Sequence, residues 1–224
     1  MNNLESLNAR FVKSLFHAYG SDLVPLLPEI RNHNVTARER LGLSGGSTGN
    51  ADCGFLYLLV RAFNRRSIFE IGTYVGTSAI AMSLAARNND GTVVTCDPED
   101  YGCLPESVKE LIRFLHMPSE EALALLQREN KTVDFVFADW APSQQAIERI
   151  NELSTDDFIF TAHDYVLPDD KGVVAKKLMT EHYKRVKECT WILPDEEPVQ
   201  VAPGIELQQC TAVLIPNRLL ADWV

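Results

Sequence analysis

The chain has 224 residues, 46% of them hydrophobic and 23% charged, with a formal net charge of −10. That is enough chain for one full core, and the acidic balance argues against a nucleic-acid surface, which needs clustered Lys and Arg. No apolar run reaches the length of a membrane span, and the polar stretch Met1 to Arg10 is unlike a signal peptide. Cys53, Cys96, Cys103, Cys189 and Cys210 form no C-x-x-C pair and read as free thiols in a reducing, cytoplasmic setting.

Leu4, Leu7, Phe11, Val12, Leu15, Phe16 and Tyr19 fall at helical spacing. Gly20 is expected to end that helix, and Ser21-Asp22 to cap a second, short one around Leu23 to Ile30. Residues 1–41 thus read as a helical extension or lid ahead of a domain spanning 42–224. Gly42 to Asn50 is a turn-rich loop, and Asp52 to Phe63 a helix leading into the first strand.

The next stretch carries the first chemistry. Ser67-Ile68-Phe69 runs into Glu70-Ile71-Gly72-Thr73-Tyr74-Val75-Gly76-Thr77-Ser78, and an alanine-rich helix follows. The pattern is a buried strand, a glycine turn and a helix start, with Thr77 and Ser78 placed to cap it. The spacing is E-x-G-x-x-x-G. A pyrophosphate turn uses G-x-G-x-x-G and no carboxylate at the strand end. Glu70 instead puts negative charge beside the turn, which suits a cationic ligand.

This segment resembles motif I of class I S-adenosylmethionine-dependent methyltransferases. Its E-I-G-T-Y-V-G-T-S form is similar to that of catechol O-methyltransferase-like small-molecule O-methyltransferases. The resemblance implies that Glu70, Gly72, Tyr74, Gly76 and Ser78 surround S-adenosylmethionine (SAM), and that the 42–50 loop borders its methionine end.

Thr92 to Cys96 is a β-branched strand ending in Asp97, about 20 residues past the glycine turn, which suits acceptance from ribose hydroxyls. Leu111 to Leu115 reads as strand three. Pro118-Ser119-Glu120-Glu121 opens a helix with Ser119 as its cap, and the resemblance adds adenine contacts through Ser119 and Glu120. Thr132 to Trp140 is strand four, with Asp134 at its start and Asp139 at its end, where the resemblance implies that Asp139 borders the cofactor and takes part in catalysis. Asp157 to Ala162 is strand five, ending in His163-Asp164-Tyr165-Val166-Leu167-Pro168. A helix from Lys171 to Tyr183 and strands at Val186 to Leu193 and Thr211 to Pro216 complete the chain, with Pro194 to Gln209 as a polar connection.

The alternation predicts an α/β three-layer sandwich around a Rossmann-like, mostly parallel seven-stranded sheet. By resemblance its order is 3-2-1-4-5-7-6, and the reaction is SAM-dependent methylation of a hydroxyl on a sugar, phenol or natural-product intermediate. Related enzymes bind magnesium through a strand-four Asp and an acid and amide after strand five, which implies a divalent cation, Mg2+ or Mn2+, on Asp139, His163 and Asp164. An imidazole ligand shifts preference towards manganese, iron or zinc. The lysine base expected three residues past Asp139 is replaced by Pro142. His163 as a metal-independent general base is therefore the alternative, since one imidazole nitrogen cannot both ligate a metal and accept a proton. A methyltransferase acting on RNA or protein is disfavoured by the acidic balance. A homodimer stays open, and no membrane or nucleic-acid partner is expected.

Overall fold

The computed structural model describes residues 5–165, 170–185 and 188–224. The expected positions Leu4, Val166 to Pro168 and Val186 lie outside them. The helices are α1 (Leu7–Leu23), α2 (Leu27–Leu41), α3 (Asn50–Ala62), α4 (Thr77–Arg87), α5 (Ser119–Arg128), α6 (Gln144–Leu153), α7 (Asp170–Arg185) and α8 (Asn217–Leu220). The strands are β1 (Ser67–Ile71), β2 (Thr92–Asp97), β3 (Ile112–His116), β4 (Val133–Ala138), β5 (Ser154–Ala162), β6 (Cys189–Ile192), β7 (Val199–Ala202), β8 (Ile205–Leu207) and β9 (Ala212–Pro216).

The seven-stranded sheet has the order β3-β2-β1-β4-β5-β9-β6. β9 is its last strand in the chain, so this is the expected 3-2-1-4-5-7-6 arrangement. The first five strands are parallel, and β9 runs antiparallel to both β5 and β6. Successive residues of a strand face opposite sides of the sheet. Ile68, Phe135 and Phe137 accordingly join the core under α1, α3 and α4. Phe69, Ile71, Val136 and Phe160 pack on the other side with α5, α6 and α7. Strands buried on both faces read as near-continuous apolar runs, which is why these elements stand out in the sequence. Among the described residues no helix is long and apolar enough to cross a membrane.

The N-terminal helices and the late connection differ from expectation. Gly20 does not end α1, which runs on to Leu23. The glycine is instead a packing position: a Cβ there would lie 2.9 Å from the Phe16 ring. The second helix is also longer than expected. Pro lies in its first turn, where no amide hydrogen is needed, and it runs to Leu41, where Gly42 closes it at φ 66°. The late connection is Pro194 to Gln209. It holds the hairpin β7–β8, a separate two-stranded sheet that packs on α1 and α3. Strands this short leave little periodicity to read.

The β1–α4 turn departs from its expected capping. Gly76 is the N-cap of α4 at φ 82°, and no side chain caps the helix. A Cβ at Gly76 would approach Leu104 Cδ2 to 2.5 Å. Ser78 turns inward and donates to Glu70 Oε1, while Thr95 donates to Oε2. Glu70 is 0% exposed. Burial pushes its carboxyl up to about 8, against the hydrogen bonds from Ser78 and Thr95. It therefore gives the turn a hydrogen-bonding anchor more than a full negative charge at neutral pH.

α1 is integral to this core: Phe11, Val12 and Leu15 are fully buried. Leu15→Ala should cost about 2–5 kcal/mol of unfolding free energy, read by denaturant titration; a change within error would mean that α1 is dispensable to the fold. Glu70 sets a pH dependence. Its folded pKa of about 8 lies above the ordinary 4.5, so the native state keeps a proton that the unfolded chain releases. The stabilisation from that proton is complete below about pH 4.5 and is lost as pH rises towards 8. Relative to Glu70→Gln, the wild-type chain should lose on the order of a few kcal/mol between pH 5 and 8.5. Parallel stability profiles for the two proteins would refute the assignment.

Candidate active site

The site is built on one register row of the sheet. Leu115, Cys96, Ile71, Ala138 and Ala162 are paired in turn across β3, β2, β1, β4 and β5. The next residue on each strand is His116, Asp97, Gly72, Asp139 and His163. Backbone bonds carry the alignment past the strand ends: Gly72 N–H donates to Cys96 O at 3.0 Å, Asp139 N–H to Ile71 O at 2.9 Å, and His163 N–H to Ala138 O at 3.0 Å. Parallel strands lie about 4.8 Å apart, so these side chains are neighbours at the crevice outside the carboxyl ends.

A cavity of about 460 Å3 opens along this row. Of the residues expected at the cofactor, Gly72, Tyr74, Asp97, Ser119, Glu120 and Asp139 line it. Glu70, Gly76 and Ser78 do not; they stand behind the turn and shape it. Gly72 adopts φ 93°, and a Cβ there would meet Trp140 Cβ at 3.3 Å. Asp97 is held by backbone donors, Tyr74 N–H at 2.8 Å and Glu99 N–H at 2.9 Å. A carboxylate accepts about four hydrogen bonds, so Asp97 keeps acceptor capacity towards the cavity. Ser119 is the first residue of α5, with Pro118 at the N-cap, so it does not cap the helix. A hydrogen bond from Ser143 and the helix N-terminus hold the Glu120 carboxyl below its usual range. A wider, open groove of about 580 Å3 at the opposite strand ends, edged by Lys109, Arg113 and Lys131, holds none of these residues.

The N-terminal segment closes one side of the cavity. Thr48 donates to Asp139 Oδ2 at 3.0 Å, and Tyr74 OH to Gly45 O at 2.9 Å. From α2, His33 Nε2 donates to Val75 O at 2.8 Å, and Arg40 donates to Gly102 O at 2.9 Å.

Asp139, His163 and Asp164 converge beside the cavity. His163 Nδ1 lies 2.9 Å from Asp139 Oδ1 and 3.1 Å from Asp164 Oδ1. Its Nε2 lies 3.6 Å from Asp52 Oδ2. Burial alone would lower the imidazole pKa, but the carboxylates of Asp139, Asp164 and Asp52 push it up to about 12. Among the described residues, the buried Nδ1 has no acceptor aligned for a hydrogen bond. Asp52 accepts from the backbone of Gln209, Cys210 and Thr211. Burial opposes its ionisation, but His163 and these donors outweigh it and hold Asp52 below the usual carboxylate range.

Four of these contacts are absent from the sequence reading: Thr48, Asp52, Trp140 and Cys210. Asp52 reads there only as a helix start. Its one signal is being the sole acid of α3, ahead of a run from Cys53 to Val60 that is buried throughout. Trp140 is 63% exposed beside Asp139. It stands out only once the cavity is known.

The fold is similar to that of many solved structures, among them the following three. The tomaymycin-synthesis O-methyltransferase TomG from Streptomyces achromogenes, in complex with SAM, is 19% identical over 85% of this chain and 88% of its own, with a TM-score of 0.60. An O-methyltransferase from Bacillus cereus in complex with SAH is 16% identical over 85% and 90%, with a TM-score of 0.62. The SAH-bound methyltransferase PaMTH1 from Podospora anserina is 14% identical over 96% and 99%, with a TM-score of 0.61. No curated protein matches the chain significantly. The O-methyltransferase family model matches residues 18–146, from the last turns of α1 through β4 and Asp139 into α6. With more than half its length matched and the row of site residues in place, the chain belongs to the O-methyltransferase family.

Proposed function

We propose that the cavity binds SAM and that the enzyme transfers its methyl group to a hydroxyl of a small molecule. The observation that carries this reading is Asp97. Its carboxylate is fixed by Tyr74 and Glu99 N–H groups on the cavity wall, on the same register row as the glycine turn and Asp139. In this reading Asp97 accepts from the ribose, Ser119 and Glu120 face the base, and the Gly72–Gly76 turn receives the methionine part. The TomG, Bacillus cereus and Podospora anserina structures hold SAM or SAH, which supports the choice of donor.

The reaction is an in-line displacement. The acceptor oxygen bonds to the methyl carbon as the carbon–sulfur bond breaks, its electron pair goes to sulfur to leave a neutral thioether, and the hydroxyl proton is lost. The chain's main task is to align oxygen, carbon and sulfur. Thr48 holds Asp139 at the methyl end of this line, and Trp140 offers an apolar wall beside it.

Asp139, His163 and Asp164 fit a divalent cation. Each places a ligand atom within 4.8 Å of the others, and the buried Nδ1 of His163 has no aligned hydrogen-bond acceptor. A cation held there would act as a Lewis acid and lower the acceptor hydroxyl's pKa. The nitrogen ligand favours manganese, iron or zinc over magnesium. His163 as general base is the alternative reading, since one imidazole nitrogen cannot both ligate a cation and accept the hydroxyl proton.

Asp97→Ala should weaken SAM binding tenfold or more in calorimetry, the loss of a charged hydrogen bond being worth roughly 1.5–3 kcal/mol. Unchanged affinity, or NAD bound in preference, would overturn the donor assignment. Chelated enzyme should lose turnover and regain it with Mn2+. Full turnover after chelation, together with its loss in His163→Ala, would instead make His163 the base.

A further inference from the structure

His163 turns its second ring nitrogen towards a different set of donors. Asp52, His163 and Cys210 each place one ligand atom within 4.8 Å of the other two. They come from three separate places in the fold: the first turn of α3, the end of β5, and the segment just before β9. We propose that this nitrogen–oxygen–sulfur set is a divalent-metal position of the zinc, ferrous or cobaltous class, separate from the Asp139–Asp164 side of the ring.

The geometry favours an ion over a hydrogen bond. Asp52 is 1% exposed. Its Oδ1 accepts from Gln209, Cys210 and Thr211 N–H groups at 3.0, 3.1 and 3.0 Å. Oδ2 takes only a longer bond from Cys210 N–H, at 3.2 Å, and faces His163. The Nε2–Oδ2 gap is 3.6 Å. A hydrogen bond between nitrogen and oxygen spans about 2.7–3.2 Å, so this gap is too wide for one. Tetrahedral bonds of about 2.0–2.1 Å set neighbouring nitrogen and oxygen ligands roughly 3.3–3.4 Å apart. The observed gap is close to that edge. A carboxylate locked by backbone donors on one oxygen, with the other aimed at the site, is the outer-shell support that orients a metal ligand.

Charge and donor chemistry agree. A histidine ring neutralises at most one of Asp52 and Asp139, both of which it faces. A divalent cation on the Asp52 side would be offset by the Asp52 carboxylate and the Cys210 thiolate, with the imidazole neutral. A sulfur donor selects zinc, ferrous or cobaltous ions over magnesium. His163 and Cys210 are half-buried, so an ion has a route in. The ring keeps its one proton on whichever nitrogen is not ligated, so a metal on Nε2 leaves an Nδ1–H between Asp139 and Asp164. The two positions therefore compete for one imidazole.

Cobalt titration of the full chain tests this without an acceptor or turnover. The wild-type protein should bind Co2+ with tetrahedral visible bands and a sulfur-to-cobalt charge-transfer band in the near ultraviolet. Cys210→Ser should abolish the charge-transfer band and weaken competing Zn2+ at least tenfold, and Asp52→Asn should weaken it by about 10–100-fold. Asp164→Asn should keep the band. SAM calorimetry on each variant controls for folding and separates this site from the donor assignment: Cys210→Ser that binds SAM normally yet lacks the band supports the site. No charge-transfer band in the wild type, a band surviving in Cys210→Ser, or a band lost in Asp164→Asn would each overturn it.

Discussion

The backbone bonds that continue past the strand ends, from Gly72 to Cys96, Asp139 to Ile71 and His163 to Ala138, are what the crevice depends on. They extend the parallel ladder by one step, so residues far apart in sequence share one line. A shift of one residue in the pairing of β4 would exchange its two buried faces and send each side chain into the opposite core layer. It would also carry Asp139 off the row. Because Phe135 and Phe137 are fully buried on one face and Val136 on the other, the core itself forbids that shift. The apolar packing of the two layers thus sets the placement of polar groups that take no part in it.

Burial divides the carboxylates of this region into two kinds. Glu70, sealed beneath α4, is pushed towards neutrality and serves the turn through Ser78 and Thr95. Asp52 is nearly as buried, but backbone donors and a histidine hold it ionised. Depth alone does not decide the charge of an acid here. What decides it is whether fixed N–H dipoles or a cation replace the lost water.

How much of this was legible follows from locality. The glycine turn could be read because Gly72 and Gly76 mark a sharp bend between an apolar strand and a helix, a pattern contained within a few residues. Asp97, Asp139 and His163 could be placed because each directly follows an apolar run that must be a buried strand. Glu70 and Ser78 were found as a pair but not as partners, since their bond depends on the rotation of α4 over β1. Gly20 misled because a glycine that ends a helix and one that admits a neighbouring ring look alike in one dimension. Asp52 and Cys210 are separated by most of the chain, and only the closure of the sheet by β9 brings them together. The lysine missing at Pro142 is plain in the sequence, as are Asp139 and Asp164 beside the imidazole, whereas its third carboxylate neighbour, Asp52, requires the fold.

α2 holds the β1–α4 turn at Val75 through His33 and the loop after β2 at Gly102 through Arg40, two residues seven apart. At 3.6 residues per turn that is close to two full turns, so both side chains leave the same face about 10 Å apart along the axis. The helix behaves as a caliper, and its pitch sets the distance between the Val75 and Gly102 carbonyls that it grips. One residue inserted between the two would swing the second contact through about 100° and release one jaw. Length variation along this segment is therefore confined by phase. Change is tolerated outside the pair, where the loop to Asn50 can absorb it, because two whole turns inserted between them would restore the phase but add about 10 Å to the span.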